Sequence, residues 1–302
     1  MNRIVAGVVA VLVVAAVAGW SVSGAPGDRD DGELKISIDD RNPWTNLDLN
    51  NKPTDFQFAI VTDRTGGRRP GVFAQGVKKV NLLQPEFVLS VGDLIEGYSE
   101  DPGMWALEWS EFESMIDELE MPFFFCAGNH DISNLPMSAD WTRRFGRSYY
   151  SFVYRDVLFM VLNTEDPPTD PYHIGEEQQK WARQVLDVHA NVRWTFVILH
   201  KPTWTYPGAD PVEAGWQSIE DALGNRKYTV FAGHKHTYAK YIHRGREYYM
   251  LATTGGGSNL SGFSNGKFDH FVWVTMKDDE PVIANLLLDG VADEDVRRVR
   301  SQ

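Results

Sequence analysis

Cysteine is almost missing from this chain: Cys126 is the single one in 302 residues, so no disulfide can form within it and the core must hold the fold unaided. Cys126 lies in the apolar run that begins at Phe123, where a small buried hydrophobe is its expected role. Basic charge is also scarce. Lys and Arg number 29 against 42 Asp and Glu, a formal net charge of -13. That balance argues against nucleic-acid backbone or an anionic membrane surface as the main partner, because both reward a basic surface. A small anionic substrate stays open, since bound metal ions dominate their local field. There is no internal repeat and no low-complexity tract.

Long apolar runs are confined to the start. Met1-Asn2-Arg3 precedes the uncharged stretch Ile4 to Gly19, which has the form of an export signal, with Ala16-Val17-Ala18 or Ser23-Gly24-Ala25 fitting a small-x-small cleavage site. Apolar character continues to Val22, approaching the roughly 17 to 25 residues of a membrane span. Residues 1–23 are therefore expected to be a signal peptide or a membrane anchor, with the body exported to a periplasmic or extracellular space. Residues 24–51, polar and rich in Gly, Asp and Asn, read as a linker. The body is expected over 52–290, and the last dozen residues, 291–302, as a frayed tail.

Within the body, apolar residues recur at three- and four-residue spacing over Gly71–Leu83, Met104–Leu119, Glu176–Val188 and Val212–Leu223, which predicts helices. SYYSFVYRDVLFMVLN predicts a hairpin turning at Arg155-Asp156, and YIHRGREYYMLATT one turning at Arg244-Gly245-Arg246. HFVWVTM and PVIANLLL flank a further turn. Early strands separated by helices, followed by hairpins, imply an α/β fold of mixed sheets with helices outside.

Five short blocks each run from an apolar stretch into a metal-binding side chain. FQFAIVTD ends at Asp63, FVLSVGD at Asp93, FFFCAGNH at Asn129 and His130, TFVILH at His200, and TVFAGHKH at His234 and His236. Such runs read as strands buried on both faces, and groups at the carboxyl ends of such strands line a common crevice. Two carboxylates, an amide and several imidazoles form a mixed oxygen and nitrogen set suited to divalent transition metals.

In order and spacing these blocks resemble the signature of the calcineurin-like metallophosphoesterases: Asp63-Arg64-Thr65, Gly92-Asp93-Leu94-Ile95-Glu96, Gly128-Asn129-His130-Asp131, His200, and Gly233-His234-Lys235-His236. The resemblance implies a four-layer α/β/β/α sandwich of two mixed sheets flanked by helices. It implies two divalent metal ions, manganese, iron or zinc, with Asp93 bridging both, Asp63 and His236 on the first, and Asn129, His200 and His234 on the second. It further implies hydrolysis of a small phosphate mono- or diester by a metal-bridging hydroxide, with His130 as general acid and Glu96 as the carboxylate that orients it. One position departs: Thr65 stands where the family places a histidine, so the first site is expected to hold its metal weakly or to draw on water or another side chain. A binding protein on the same fold, or a mononuclear hydrolase of another ester, fits the same residues.

Several neighbours carry weaker expectations. Arg64, Arg68 and Arg69 add positive charge beside the first block, and at least one is expected to contact substrate phosphate, against the alternative of ordinary pairing with surface acids. His270 is one candidate for the ligand missing at position 65. Trp204 and Tyr206 either stack on an aromatic leaving group or pack their loop down. The run from Gly255 to Gly262 reads as a mobile loop near the site, without the lysine and helix of a nucleotide cradle.

Overall fold

The computed structural model describes residues 43–47, 49–169, 172–205, 210–278, 280–293 and 297. The segment read as signal peptide or anchor, most of the linker, and Tyr206 lie outside the described residues. Among the described residues no helix is long and apolar enough to cross a membrane. Asn51–Gln302 form one compact unit.

Two six-stranded sheets make its centre. The first contains β1 (Phe56–Val61), β2 (Phe87–Ser90), β3 (Phe123–Phe124), β10 (His270–Met276), β11 (Pro281–Leu287) and β12 (Gly290–Asp293), in the order β12-β11-β10-β1-β2-β3. The second contains β4 (Tyr150–Tyr154), β5 (Val157–Val161), β6 (Trp194–Ile198), β7 (Tyr228–Ala232), β8 (Ala239–His243) and β9 (Arg246–Met250), in the order β4-β5-β6-β7-β9-β8. Both are mixed: β1-β2-β3 and β5-β6-β7-β9 run parallel, and hairpins supply the antiparallel edges. Strands β2, β5 and β7 are buried at every residue, which is why they read as unbroken apolar runs rather than alternating ones.

Three apolar layers follow. Phe56, Phe58, Phe87, Phe159, Phe196 and Phe231 fill the space between the sheets, with Phe58 and Phe87 stacked at 5.3 Å and Phe159 edge-on to both. Helices α1 (Val72–Leu83), α2 (Pro102–Ile116) and α3 (Leu135–Phe145) cover the outer face of the first sheet through Val77, Trp109, Phe112 and Trp141. Helices α4 (Glu176–Val188) and α5 (Trp216–Leu223) cover the second through Leu186, Trp216 and Ile219. The architecture is the expected four-layer sandwich.

Both predicted hairpin turns form with left-handed backbone at each central residue, Arg155 and Asp156 (φ 45 and 61) and Arg244 and Gly245 (φ 47 and 72), the geometry that matches strand twist. Two expectations are corrected. Helix α3 was not among those predicted; its amphipathic spacing is short, and its start is marked by the Asn134 side chain accepting from Met137 N–H, with a proline in the first turn. Val291–Asp293, expected in the tail, continue β12 along β11, with Ala284 opposite Asp293, and residues 294–296 and 298–302 lie outside the described residues.

Phe159 touches Phe56, Phe58, Phe87, Phe152 and Phe196. Phe159→Ala should cost about 3–5 kcal/mol of unfolding free energy, read from denaturant titration; a loss below about 1 kcal/mol would show that the inter-sheet layer can collapse around the cavity.

Candidate metal centre

All five blocks deliver their side chains to one seam, three from the first sheet and two from the second. Asp63 lies two residues past β1 and Asp93 three past β2; Asn129 and His130 follow β3, His200 follows β6, and His234 and His236 follow β7. Asp63 and Asp93 are buried. An isolated buried carboxylate is costly, so each must be met by donors or cations. Asp63 Oδ1 accepts from His234 N–H at 2.7 Å and faces His236 Nε2 at 3.4 Å. Asp93 Oδ1 accepts from His130 N–H at 3.0 Å and faces His200 Nε2 at 3.2 Å. Room for the carboxylates comes from glycine: a Cβ on Gly128 would stand 2.3 Å from Asp93 Oδ1, and one on Gly233 2.3 Å from Asp63 Oδ2. Asp93, His234 and His236 themselves take left-handed backbone (φ 58, 74 and 46), a strained conformation of the kind that gathers at functional sites.

Two donor groups share one carboxylate. Asp93, His200 and His234 form one, and Asp63, Asp93 and His236 the other, with all ligand atoms in each within 4.8 Å of one another. Asn129 Oδ1 adds to the first of these, 3.0 Å from His200 Nε2. The imidazoles are aimed by their other nitrogen: His200 Nδ1–H donates to Val91 O at 2.8 Å and His236 Nδ1–H to Gly257 O at 2.7 Å, which leaves Nε2 to the centre. Burial works against a charged His200, but the Asp93 carboxylate outweighs it and lifts the imidazole to about 9. Burial also opposes ionisation of Asp93, and His200 holds it below the usual carboxylate range all the same. Burial, then the charges of His200 and Lys201, push His234 down to about 2. The negative charge of the buried carboxylates is what favours a cation beside His200. The donor set fits divalent metal.

Other expected residues are placed differently. Thr65 is buried and turned away from the centre, its hydroxyl directed at the carbonyls of Ile95 (2.7 Å) and Asp93 (3.0 Å). His270 does not replace it: Nε2 accepts from Ala252 N–H at 3.0 Å and Nδ1 meets Asn285 Oδ1 at 2.8 Å, so both nitrogens are spent, and burial pulls the group down to about 4. Glu96 does orient His130, but through its backbone: His130 Nδ1–H donates to Glu96 O at 2.6 Å, whereas the Glu96 carboxylate accepts from Arg68 N–H at 2.8 Å. Arg64 is buried, bonded to Leu94 O and paired with Glu111. Arg69 is held by both oxygens of Asp269, and Arg68 pairs with Glu111. The arginines brace the loops, the pairing with acids that stood as the alternative to a phosphate contact. Trp204 is packed edge-on against Tyr248 at 5.0 Å in the outer core, the packing alternative rather than the stacking one. The glycine loop does lie at the site but is tied to it, Gly256 N–H donating to Asp63 O and Gly257 N–H to Gly66 O.

Sequence reasoning missed residues with no side chain in the centre. Asp131 accepts four backbone bonds, from Gly128, Asp93, Leu94 and Ile95 at 2.8 to 3.1 Å, and so folds the Asp93 turn against the Asn129 turn. Burial and the Asp93 charge lift it to about 7, against the pull of those donors. Tyr172 meets His234 Nε2 at 2.7 Å, and Lys201 pairs with Glu165 beneath it, its ammonium 4.1 Å from the Tyr172 ring centre. The Asp131 position in the motif was the only signal available. Asp131→Ala should lower unfolding free energy by about 3 kcal/mol or more, because four amides lose a charged acceptor; denaturant titration without added metal reads it, and an unchanged midpoint would remove the clamp.

The profile of the calcineurin-like phosphoesterases matches residues 58–250. The human serine/threonine-protein phosphatase CPPED1 is 30% identical over 124 residues, covering 38% of this chain and 39% of that protein, so the match spans about two fifths of that relative's length. Two solved structures share the fold at 14% identity. A purple acid phosphatase from yellow lupin aligns with a TM-score of 0.61 over 79% of this chain and 53% of its own, and a dimetal phosphatase from Danio rerio with 0.55 over 78% and 96%. Profile, ordered motifs and paired sheets agree: the chain belongs to the calcineurin-like phosphoesterase family.

Proposed function

We propose that this protein is a metal-dependent phosphoesterase that hydrolyses small phosphate esters and binds two divalent ions, manganese, iron or zinc. The observation that carries this reading is the pair of donor groups meeting at Asp93. Asp93, Asn129, His200 and His234 would hold one ion, and Asp63, Asp93 and His236 the other. Ions so placed would supply an acidified water as nucleophile and neutralise charge on the phosphoryl oxygens. His130 stands outside the ligand set. With Nδ1–H donated to Glu96 O and backbone N–H to Asp93, its Nε2 is directed to the same seam, where it can deliver a proton to the leaving oxygen. The names of the similar proteins, a serine/threonine-protein phosphatase and purple acid phosphatases, favour monoesters as substrates.

The two ion sites are unequal. With Thr65 committed to backbone, the Asp63 group has three protein ligands where the other has four. The first should fill later and exchange faster. A non-catalytic binding protein on this fold would hold one ion or none.

Calorimetric titration of the metal-free protein with Mn2+ should show two steps; His234→Ala should remove the tighter and His236→Ala the weaker, and a single step in the unsubstituted protein would overturn the two-ion reading. His130→Ala should lower kcat about 10²- to 10⁴-fold on alkyl phosphates while leaving both binding steps in place. It should cost much less on p-nitrophenyl phosphate, whose leaving oxygen needs no proton; equal losses on both would refute the acid role.

A further inference from the structure

The loop after β2 carries a tyrosine that the ligand set does not explain. Gly97 and Tyr98 both take left-handed backbone, φ 57 and 50. A Cβ on Gly97 would lie 1.7 Å from the carbonyl oxygen of His130, so glycine alone lets the loop come this close. For a bulky side chain such as Tyr98 a positive φ is strained. The surroundings impose it. Gly97 N–H donates to Glu108 Oε2 at 3.0 Å, and Ser99 O accepts from Trp105 Nε1 at 2.8 Å and Asn134 Nδ2 at 3.1 Å, which ties the loop to α2 and to the start of α3.

The strain holds Tyr98 at the mouth of the seam. It is 63% exposed, yet both ends are engaged. Its ring meets that of His130 edge-on, with centroids 4.8 Å apart and planes at 87°. Its hydroxyl accepts from Asn129 Nδ2 at 2.9 Å, the amide whose Oδ1 faces His200. Tyr98 thus touches the proton donor and one metal ligand while leaving its ring uncovered.

We propose, resting on the phosphoesterase reading, that Tyr98 selects the leaving group, its ring receiving a flat aromatic alcohol as it departs and its hydroxyl holding the Asn129 amide toward the metal. The leaving oxygen must come within about 2.6–3.2 Å of His130 Nε2 to be protonated, so the group that carries it passes beside the neighbouring ring. An aromatic leaving group gains offset or edge contact there, and an aliphatic one gains less.

The test compares kcat/KM for phenyl phosphate and glycerol 2-phosphate with Mn2+, in the unsubstituted protein and in Tyr98→Phe and Tyr98→Leu, with Mn2+ titration calorimetry of each. Tyr98→Phe should keep the aryl preference but bind Mn2+ at the tighter step about tenfold more weakly, as loss of a ligand-orienting partner does. Tyr98→Leu should lose the preference by roughly fivefold to tenfold, through KM for the aryl ester. Tyr98→Asn, whose side chain accepts left-handed backbone, repeats the measurement if leucine disturbs the loop. An unchanged aryl-to-alkyl ratio in Tyr98→Leu and Tyr98→Asn, with the unsubstituted protein active, overturns the selection role alone; unchanged Mn2+ affinity in Tyr98→Phe overturns the orienting role. An unsubstituted protein that binds Mn2+ but hydrolyses neither ester overturns the phosphoesterase reading and this role with it.

Discussion

Everything at the centre follows from burying Asp63 and Asp93 side by side where two sheets meet. A carboxylate at such depth is stable only among donors or cations. The chain supplies what donors it can: the N–H of His234 to Asp63, the N–H of His130 to Asp93, and glycines at 128 and 233 whose missing side chains let the carboxylates in. Asp131 adds a third buried carboxylate whose work is wholly architectural, gathering four amides so that the Asp93 and Asn129 turns stay in register. The residual negative field is what makes His200 hold a proton so firmly, and it is the field a pair of divalent ions would satisfy.

Three imidazoles solve one problem in one way. His130, His200 and His236 each spend Nδ1–H on a backbone carbonyl, those of Glu96, Val91 and Gly257, and present Nε2 inward. A carbonyl fixes the ring and its tautomer without adding charge, and so leaves each Nε2 available. His130 stands beside Tyr98, outside both clusters of candidate ligand atoms.

The positive charge near the site is spent on structure. Arg64 and Arg68 converge on Glu111, Arg69 grips Asp269 while its Nε–H donates to Gly256 O, and Lys201 is buried against Glu165. These pairs fix the loops that carry Asp63, His200 and the glycine run.

The sequence by itself determined the mixed sheets with helices outside and the order of the candidate ligands, because strands buried on both faces must be unbroken apolar runs and those residues sit immediately after them; the four-layer sandwich followed from the resemblance in motif. It determined the Arg155-Asp156 and Arg244-Gly245 hairpins for the same local reason. Helix α3 escaped because only Met137, Trp141 and Phe145 mark its apolar face in an otherwise polar stretch, and β12 because an edge strand of four residues carries little signal. Only the tertiary structure decided which atom of a named residue acts. Thr65 and Arg64 are turned into the Asp93 loop, and His270 is taken by Ala252 and Asn285. Glu96 serves through its carbonyl, and Tyr98 reaches Asn129 across 31 positions of chain. Side-chain direction depends on the backbone of segments far apart in sequence, and residue type alone does not record it.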